Sequence, residues 1–300
     1  MKKLNQLVFL SMLGCSGLTV CAPKPPERIC FGLVADIQYC DCDTRGSRFY
    51  RNSPEKLDAC IADFNRENVR FTVNLGDLVD RDTEENLDAV LLRLAKLESK
   101  VYNTSGNHDY GGITDNGALY RRLGMPAAYY SFLREGWRFV MLNTNEVASY
   151  ANVAGTPLAG ELEELMEQIR KTGRKNGADY NGGISKKQLE WLKNELETAE
   201  RKKEKVIVFS HHPLYAAPGL TALNDREILA VLAAYPCVKA GISGHHHPGD
   251  FGFYKDIPFI TTEGMIETEK ENAYAIVEIT ADRIVLNGKG RTRSYTLPIR

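Results

Sequence analysis

Asn74-Leu75-Gly76-Asp77-Leu78-Val79-Asp80 closes an apolar run, Val69-Arg70-Phe71-Thr72-Val73, that reads as a short buried strand. A buried strand that stops at glycine and then presents carboxylates is how an α/β sheet aims charge at its working edge. Asp77 is therefore a candidate for a carboxylate shared between two metal ions. An Asp after a Gly is, by itself, more often a turn residue. The placement of all six histidines decides between the two readings. His108 stands in Gly106-Asn107-His108-Asp109, His211 and His212 in Ser210-His211-His212-Pro213, and His245, His246 and His247 directly follow Gly244. None is left over for an ordinary surface or core role.

Outward from that stretch, the same grammar repeats. Ile29 to Ala35 forms a first apolar strand and ends in Asp36-Ile37-Gln38, where extended geometry would turn Asp36 and Gln38 to one side. Val101-Tyr102-Asn103-Thr104 delivers Asn107 and His108, Val206 to Phe209 delivers His211, and Val238 to Ile242 delivers the histidine triplet. Helical periodicity falls between them: Leu57 to Phe64 behind Asn52-Ser53-Pro54-Glu55, Glu84 to Leu97, Pro157 to Arg170, Ser185 to Arg201 and Glu227 to Ala234. Ser185 with Gln188 has the spacing of a capping box. From Phe251 onward the texture changes to short strands and turns without helices, which reads as a β-meander over the last third of the chain. Five strands that each end in metal-ligand residue types predict an α/β (α+β) protein with its site at the strand ends.

Composition is that of a globular protein with ample core, 43% hydrophobic and 26% charged. A net charge of −1 and a pI near 6.6 give no sign of a nucleic-acid or membrane-surface partner. The first residues differ. Lys2-Lys3, the apolar run Leu7 to Gly14, and Pro23-Lys24-Pro25-Pro26 read as an export signal (residues 1–22) and a Pro-rich tether (23–29) ahead of a single domain, 30–300. The apolar run is too short to span a bilayer as a permanent helix. Met12-Leu13-Gly14-Cys15 resembles a bacterial lipoprotein cleavage box, so an acyl anchor on Cys15 is expected, with cleavage after Val20-Cys21-Ala22 as the competing reading. The expected address is a bacterial periplasm or its membrane. Of the seven cysteines, Cys40 and Cys42 lie near Gln38, but no second pair at zinc-site spacing accompanies them, and a ring closed over two residues would be very small.

The strand ends assemble two carboxylates (Asp36, Asp77), two amides (Gln38, Asn107) and several imidazoles, a mixed oxygen and nitrogen set that suits Mn²⁺, Mg²⁺, Fe²⁺ or Zn²⁺. Two dications held this way attract phosphate, acidify water and stabilise both oxygens of an in-line displacement, which implies phosphate ester or anhydride hydrolysis. The series Asp36-x-Gln38, Gly76-Asp77-x-x-Asp80, Gly106-Asn107-His108-Asp109, Ser210-His211 and Gly244-His245-x-His247 resembles the calcineurin-like metallophosphoesterase superfamily.

That resemblance implies a four-layer αββα sandwich and two metal sites. One would be held by Asp36, Gln38, Asp77 and His247. The other would take Asp77, Asn107, His211 and His245, with Asp77 shared. His108 would act on the leaving oxygen or the transition state, oriented by Asp80 or Asp109, while His212 and His246 match no ligand position. Gln38 stands where the superfamily carries His, which tilts that site toward Mn²⁺ or Mg²⁺. Ala35 to Tyr39, Asn181-Gly182-Gly183-Ile184-Ser185 and Glu263-Gly264-Met265-Ile266-Glu267-Thr268 are similar to the manganese-dependent ADP-ribose/CDP-alcohol diphosphatases. The implied reaction is cleavage of the pyrophosphate in a small nucleotide-linked substrate by attack of a metal-bound hydroxide. A broad-specificity periplasmic phosphodiesterase or phosphomonoesterase is the alternative, and a non-catalytic protein that binds nucleotide or sugar phosphates is the third reading.

Overall fold

The computed structural model describes residues 28–81 and 83–299, so the expected export signal and nearly all of the tether lie outside the described residues. The elements run β1 (Ile29–Val34), α1 (Ser53–Arg66), β2 (Phe71–Asn74), α2 (Thr83–Leu94), β3 (Lys100–Asn103), α3 (Asn116–Arg122), β4 (Tyr130–Arg134) and β5 (Trp137–Met141). They continue with α4 (Pro157–Lys171), α5 (Lys186–Lys202), β6 (Lys205–Ser210), α6 (Asp225–Leu232), β7 (Val238–Ser243), β8 (Asp250–Tyr254), β9 (Ile257–Thr261), β10 (Ala273–Ile279), β11 (Arg283–Gly290) and β12 (Tyr295–Pro298). Ile29, where the expected tether and the expected first strand overlap, is the first residue of β1.

Two six-stranded sheets form, ordered β12-β11-β10-β1-β2-β3 and β4-β5-β6-β7-β9-β8. In the first, β1, β2 and β3 are parallel; in the second, β5, β6, β7 and β9 are. Parallel strands need helical crossovers, which cover the outer faces and give the αββα layering. The inner faces meet in an aromatic core. Phe31 and Phe71 stack at 4.9 Å, and Phe139 and Phe209 meet Phe31 edge-on at 5.9 and 6.1 Å. Each ring comes from a different strand, so this cluster fixes how the sheets face each other. A second cluster packs Leu192, Leu196 and Ala199 of α5 and Ile228 and Leu232 of α6 onto β6 and β7.

Three expectations from sequence change. The terminal run of short strands is not one meander: β8 and β9 join the second sheet, and β10, β11 and β12 extend the first. Ser185 Oγ does accept from Gln188 N at 3.0 Å, but the Gln188 amide turns inward to Asn143 O and Glu146, so only half of a capping box forms. Cys40 and Cys42 are joined as a disulfide despite the two-residue spacing, and they pack with Tyr50 and Ile266. Among the described residues, no helix is long and apolar enough to cross a membrane.

Candidate dimetal centre

The loops that follow β1, β2, β3, β6 and β7 converge at one end of the sandwich. Backbone bonds tie them together: Asp36 N donates to Gly76 O at 3.1 Å, Gln38 N to Asp77 O at 2.8 Å and Gly244 N to His211 O at 3.0 Å. Close approach demands glycine. A Cβ on Gly106 would overlap Asp77 Oδ1, and one on Gly76, whose φ is +95°, would strike the Gly106 backbone.

Asp36, Gln38, Asp77 and His245 all have positive φ, at 53°, 43°, 54° and 68°. Left-handed backbone at a non-glycine residue costs on the order of 1–3 kcal/mol and concentrates at functional sites. It also corrects the geometric argument from sequence. Asp36 and Gln38 share a target because both sit in left-handed conformations beyond the strand, not because of strand alternation.

Burial sharpens the chemistry. Asp36 and Asp77 are 0% and 1% exposed. Burial, and then the Asp77 charge, push the Asp36 carboxyl well above its usual range. Asp77 also loses solvent, but His211, His108, the His108 backbone N–H and the Gln38 amide hold it below its ordinary value. Burial pushes His211, His245 and His247 down, which favours the neutral rings that can offer a lone pair.

Each ring's tautomer is set by an outward acceptor. His211 Nδ1 donates to Leu75 O at 2.9 Å, His245 Nε2 to Asn181 Oδ1 at 3.1 Å, and His247 Nδ1 to Glu267 Oε1 at 2.7 Å. The remaining nitrogens point inward. His211 Nε2 and His245 Nδ1 lie 3.2 Å apart, with Asn107 Oδ1 3.0 Å and Asp77 Oδ2 3.5 Å from the former. His247 Nε2 is 3.7 Å from Asp36 Oδ1. Gln38 Nε2 donates to Asp77 Oδ2 at 3.0 Å, and Gln38 Oε1 is buried without a hydrogen-bond partner. Lone pairs facing one another, buried carboxylates and an orphaned amide oxygen form a donor set that divalent cations satisfy. The residues therefore fit two ions, with Asp77 between an Asp36/Gln38/His247 group and an Asn107/His211/His245 group.

His108 lies beside this set. Its backbone N–H donates to Asp77 Oδ1 at 2.8 Å, and Nδ1 donates to Asp80 O at 2.8 Å with Asp80 Oδ1 at 3.3 Å. The orienting contact thus falls to Asp80. Asp109 is turned away: its two oxygens accept backbone N–H bonds from Asp77, Leu78, Val79 and Gly106 at 2.8–3.2 Å, pinning the β2 and β3 loops together. Burial and the Asp77 charge raise Asp109 to about 7.

His212 and His246 contribute no inward lone pair to the set. His212 Nδ1 meets Thr144 Oγ1 at 2.9 Å and Nε2 donates to Tyr180 O at 3.1 Å, so both ring nitrogens are engaged, and burial drops its pKa to about 3. His246 is half-buried on the pocket wall.

Gln38, Asp77, Asn107, His245 and His247 of the donor set line a pocket of about 590 Å³. Three residues here carry no role in the sequence pattern: Arg48 at the rim, within 3.9 Å of Asp80 and 4.0 Å of Glu267, and the ring-orienting Asn181 and Glu267. Asn181 and Glu267 did stand inside stretches singled out for their resemblance. Arg48 gave no signal, because it is brought in by the Arg48–Glu267 bridge between distant segments.

Comparison with known proteins agrees with this geometry. Residues 31–249 match the calcineurin-like phosphoesterase family. A manganese-dependent ADP-ribose/CDP-alcohol diphosphatase from Danio rerio is 30% identical over 89% of this chain and 97% of its own length. Its counterpart in Xenopus tropicalis is 28% identical over 89% and 93%. The crystal structure of a dimetal phosphatase from Danio rerio superposes with a TM-score of 0.83 at 27% identity, covering 91% of this chain and 99% of the other. A strand-end donor set suited to divalent cations and a matching family model across most of the domain lead to one assignment: the chain belongs to the calcineurin-like phosphoesterase family and is a metal-dependent hydrolase.

Proposed function

We propose that this protein hydrolyses the pyrophosphate bond of nucleoside-diphosphate-linked small molecules, of which ADP-ribose and CDP-alcohols are the type, releasing a nucleoside monophosphate. The observation that carries the reading is the Gln38-containing donor set, set in a chain similar over almost its whole domain to diphosphatases named for those substrates. When bound, two divalent ions would supply positive charge for the phosphate oxygens and acidify an attacking water.

The chain's own residues do the rest. Nδ1 of His108 is committed to Asp80 O, so Nε2 is the atom that exchanges a proton with the leaving oxygen. Arg48, 37% exposed at the rim, offers a cation to a second phosphate group. Asn107, His211, His245, Asp36, Gln38, Asp77 and His247 act as the ligand set.

The test is a turnover panel on protein stripped of metal and reloaded with Mn²⁺: ADP-ribose, CDP-choline, a cyclic nucleotide, bis-p-nitrophenyl phosphate and p-nitrophenyl phosphate. Preference for the first two with release of AMP or CMP supports the reading. Turnover confined to the nitrophenyl esters replaces it with a broad phosphoesterase, and no turnover at all leaves only binding.

We further infer export with a lipid anchor at Cys15, on the strength of Met12-Leu13-Gly14-Cys15 behind a basic and apolar leader. Mass spectrometry of the mature protein checks the anchor: native and Cys15→Ala chains that differ in mass only by the substitution would overturn it.

A further inference from the structure

The whole-chain charge balance conceals a strong asymmetry between the two ends of the sandwich. The site lies at the ends of the parallel strands; the opposite end is built from the segments that precede them. These are Arg28 and residues 66–70, 96–100, 133–137, 201–205, 235–239, 254–257 and 279–283, which together hold thirteen Lys and Arg against six Asp and Glu. The rest of the described residues are correspondingly acidic, holding 21 Lys and Arg against 31 Asp and Glu. Both sheets share this end, because Arg70 pairs with Glu135 and Lys205 Nζ reaches Ala281 O at 3.5 Å.

Several of these cations are uncommitted. Among the described residues, Lys100, Lys202, Lys203, Lys205 and Lys255 form no ion pair with a carboxylate. Three sit over aromatic rings instead: Lys100 over Tyr102 at 4.9 Å, Lys205 over Trp137 at 5.4 Å and Lys255 over Tyr254 at 5.9 Å. Leu133 and Phe253, two of the few large apolar side chains left exposed (45% and 52%), also lie here, on the edge strands β4 and β8 where those strands turn back. The rings of Tyr102 and Trp137 are themselves buried beneath their lysines, so the surface presents unpaired cations interspersed with exposed Leu133 and Phe253, the chemistry of a membrane interface where cations meet anionic headgroups and apolar side chains reach past them. The chain also enters the domain here, at Ile29, and the stretch between Cys15 and Ile29 reaches about 50 Å when extended.

We propose that this basic end docks on an anionic lipid surface and so turns the dimetal pocket away from the bilayer, toward soluble substrate. The presence of a bilayer rests on the export reading above; the charge asymmetry does not. The substrate assignment is independent of both.

The test uses the full chain carrying Cys15→Ser, so that no acyl chain contributes, and the same chain with K202E, K203E and K255E added. Binding to vesicles of phosphatidylcholine with and without phosphatidylglycerol is measured by co-sedimentation at low and high salt. The expected result is preference for the anionic vesicles on the order of ten-fold, lost at high salt and lost in the charge-reversed chain, with turnover unchanged. Equal binding by both chains, or binding by the unreversed chain that ignores salt, overturns the proposal without recourse to the variant's fold. Duplex DNA that strips the chain from anionic vesicles at lower concentration than free lipid would assign the end to nucleic acid instead. Failure to hydrolyse ADP-ribose would count against the substrate reading alone.

Discussion

Glu267 Oε1 accepts the Nδ1 proton of His247 at 2.7 Å, which leaves Nε2 of that ring facing Asp36. The hydrogen bond from His247 holds Glu267 ionised, with its pKa lowered to about 2. A carboxylate behind a ligating imidazole fixes its tautomer and raises its basicity, and removing such a partner typically weakens metal affinity 10–100-fold. Glu267→Ala is expected to lose affinity for Mn²⁺ in that range while keeping its fold, and Glu267→Gln to recover most of it. Calorimetric titration of stripped protein with Mn²⁺ checks both; unchanged affinity in the Ala variant would remove Glu267 from the site.

His108 stands beside the ligand set without joining it. A His108→Ala variant should lose turnover by roughly 10²–10⁴-fold, the range for a general acid or base. Bound metal, measured by elemental analysis, should stay at the wild-type level. Loss of metal along with turnover would make the ring a structural or ligating group instead.

Gln38 presents an orphaned amide oxygen where an imidazole would give nitrogen. In Gln38→His the preference among activating ions should move from Mn²⁺ toward Zn²⁺ or Fe²⁺. Reloading stripped protein with each ion in turn, and comparing rates, reads the shift; an order of ions identical to wild type would show that the amide does not set the metal.

Asp109 accepts four backbone N–H groups from the two loops that carry Asp77 and Asn107. Truncation leaves buried donors unpaired, at about 1–3 kcal/mol for each one that water cannot reach. Asp109→Ala should therefore unfold several degrees lower in a thermal melt, by about 2–4 kcal/mol, and should bind metal poorly because its loops have come apart. A wild-type melting temperature would contradict that structural role.

What the sequence by itself determined was the chemistry and its order along the chain. Apolar runs of strand length ending in Asp, Asn or His specify both a sheet edge and a ligand set, because burial and charge leave such residues few other uses. The helices were legible to within a few residues from their periodicity, as with Pro157–Lys171. Other features depended on contacts between segments far apart in sequence. The split of the last strands between two sheets follows from which edge each strand found, and a short alternating strand carries no label for its partner. The left-handed turns at Asp36, Gln38, Asp77 and His245 are imposed by neighbouring loops, against local preference. Asp80 rather than Asp109 became the partner of His108 because Asp109 was drawn into four backbone bonds that pattern alone cannot reveal. The basic end is of the same kind: its charges come from eight separate segments, and only the packing of two sheets puts them on one surface.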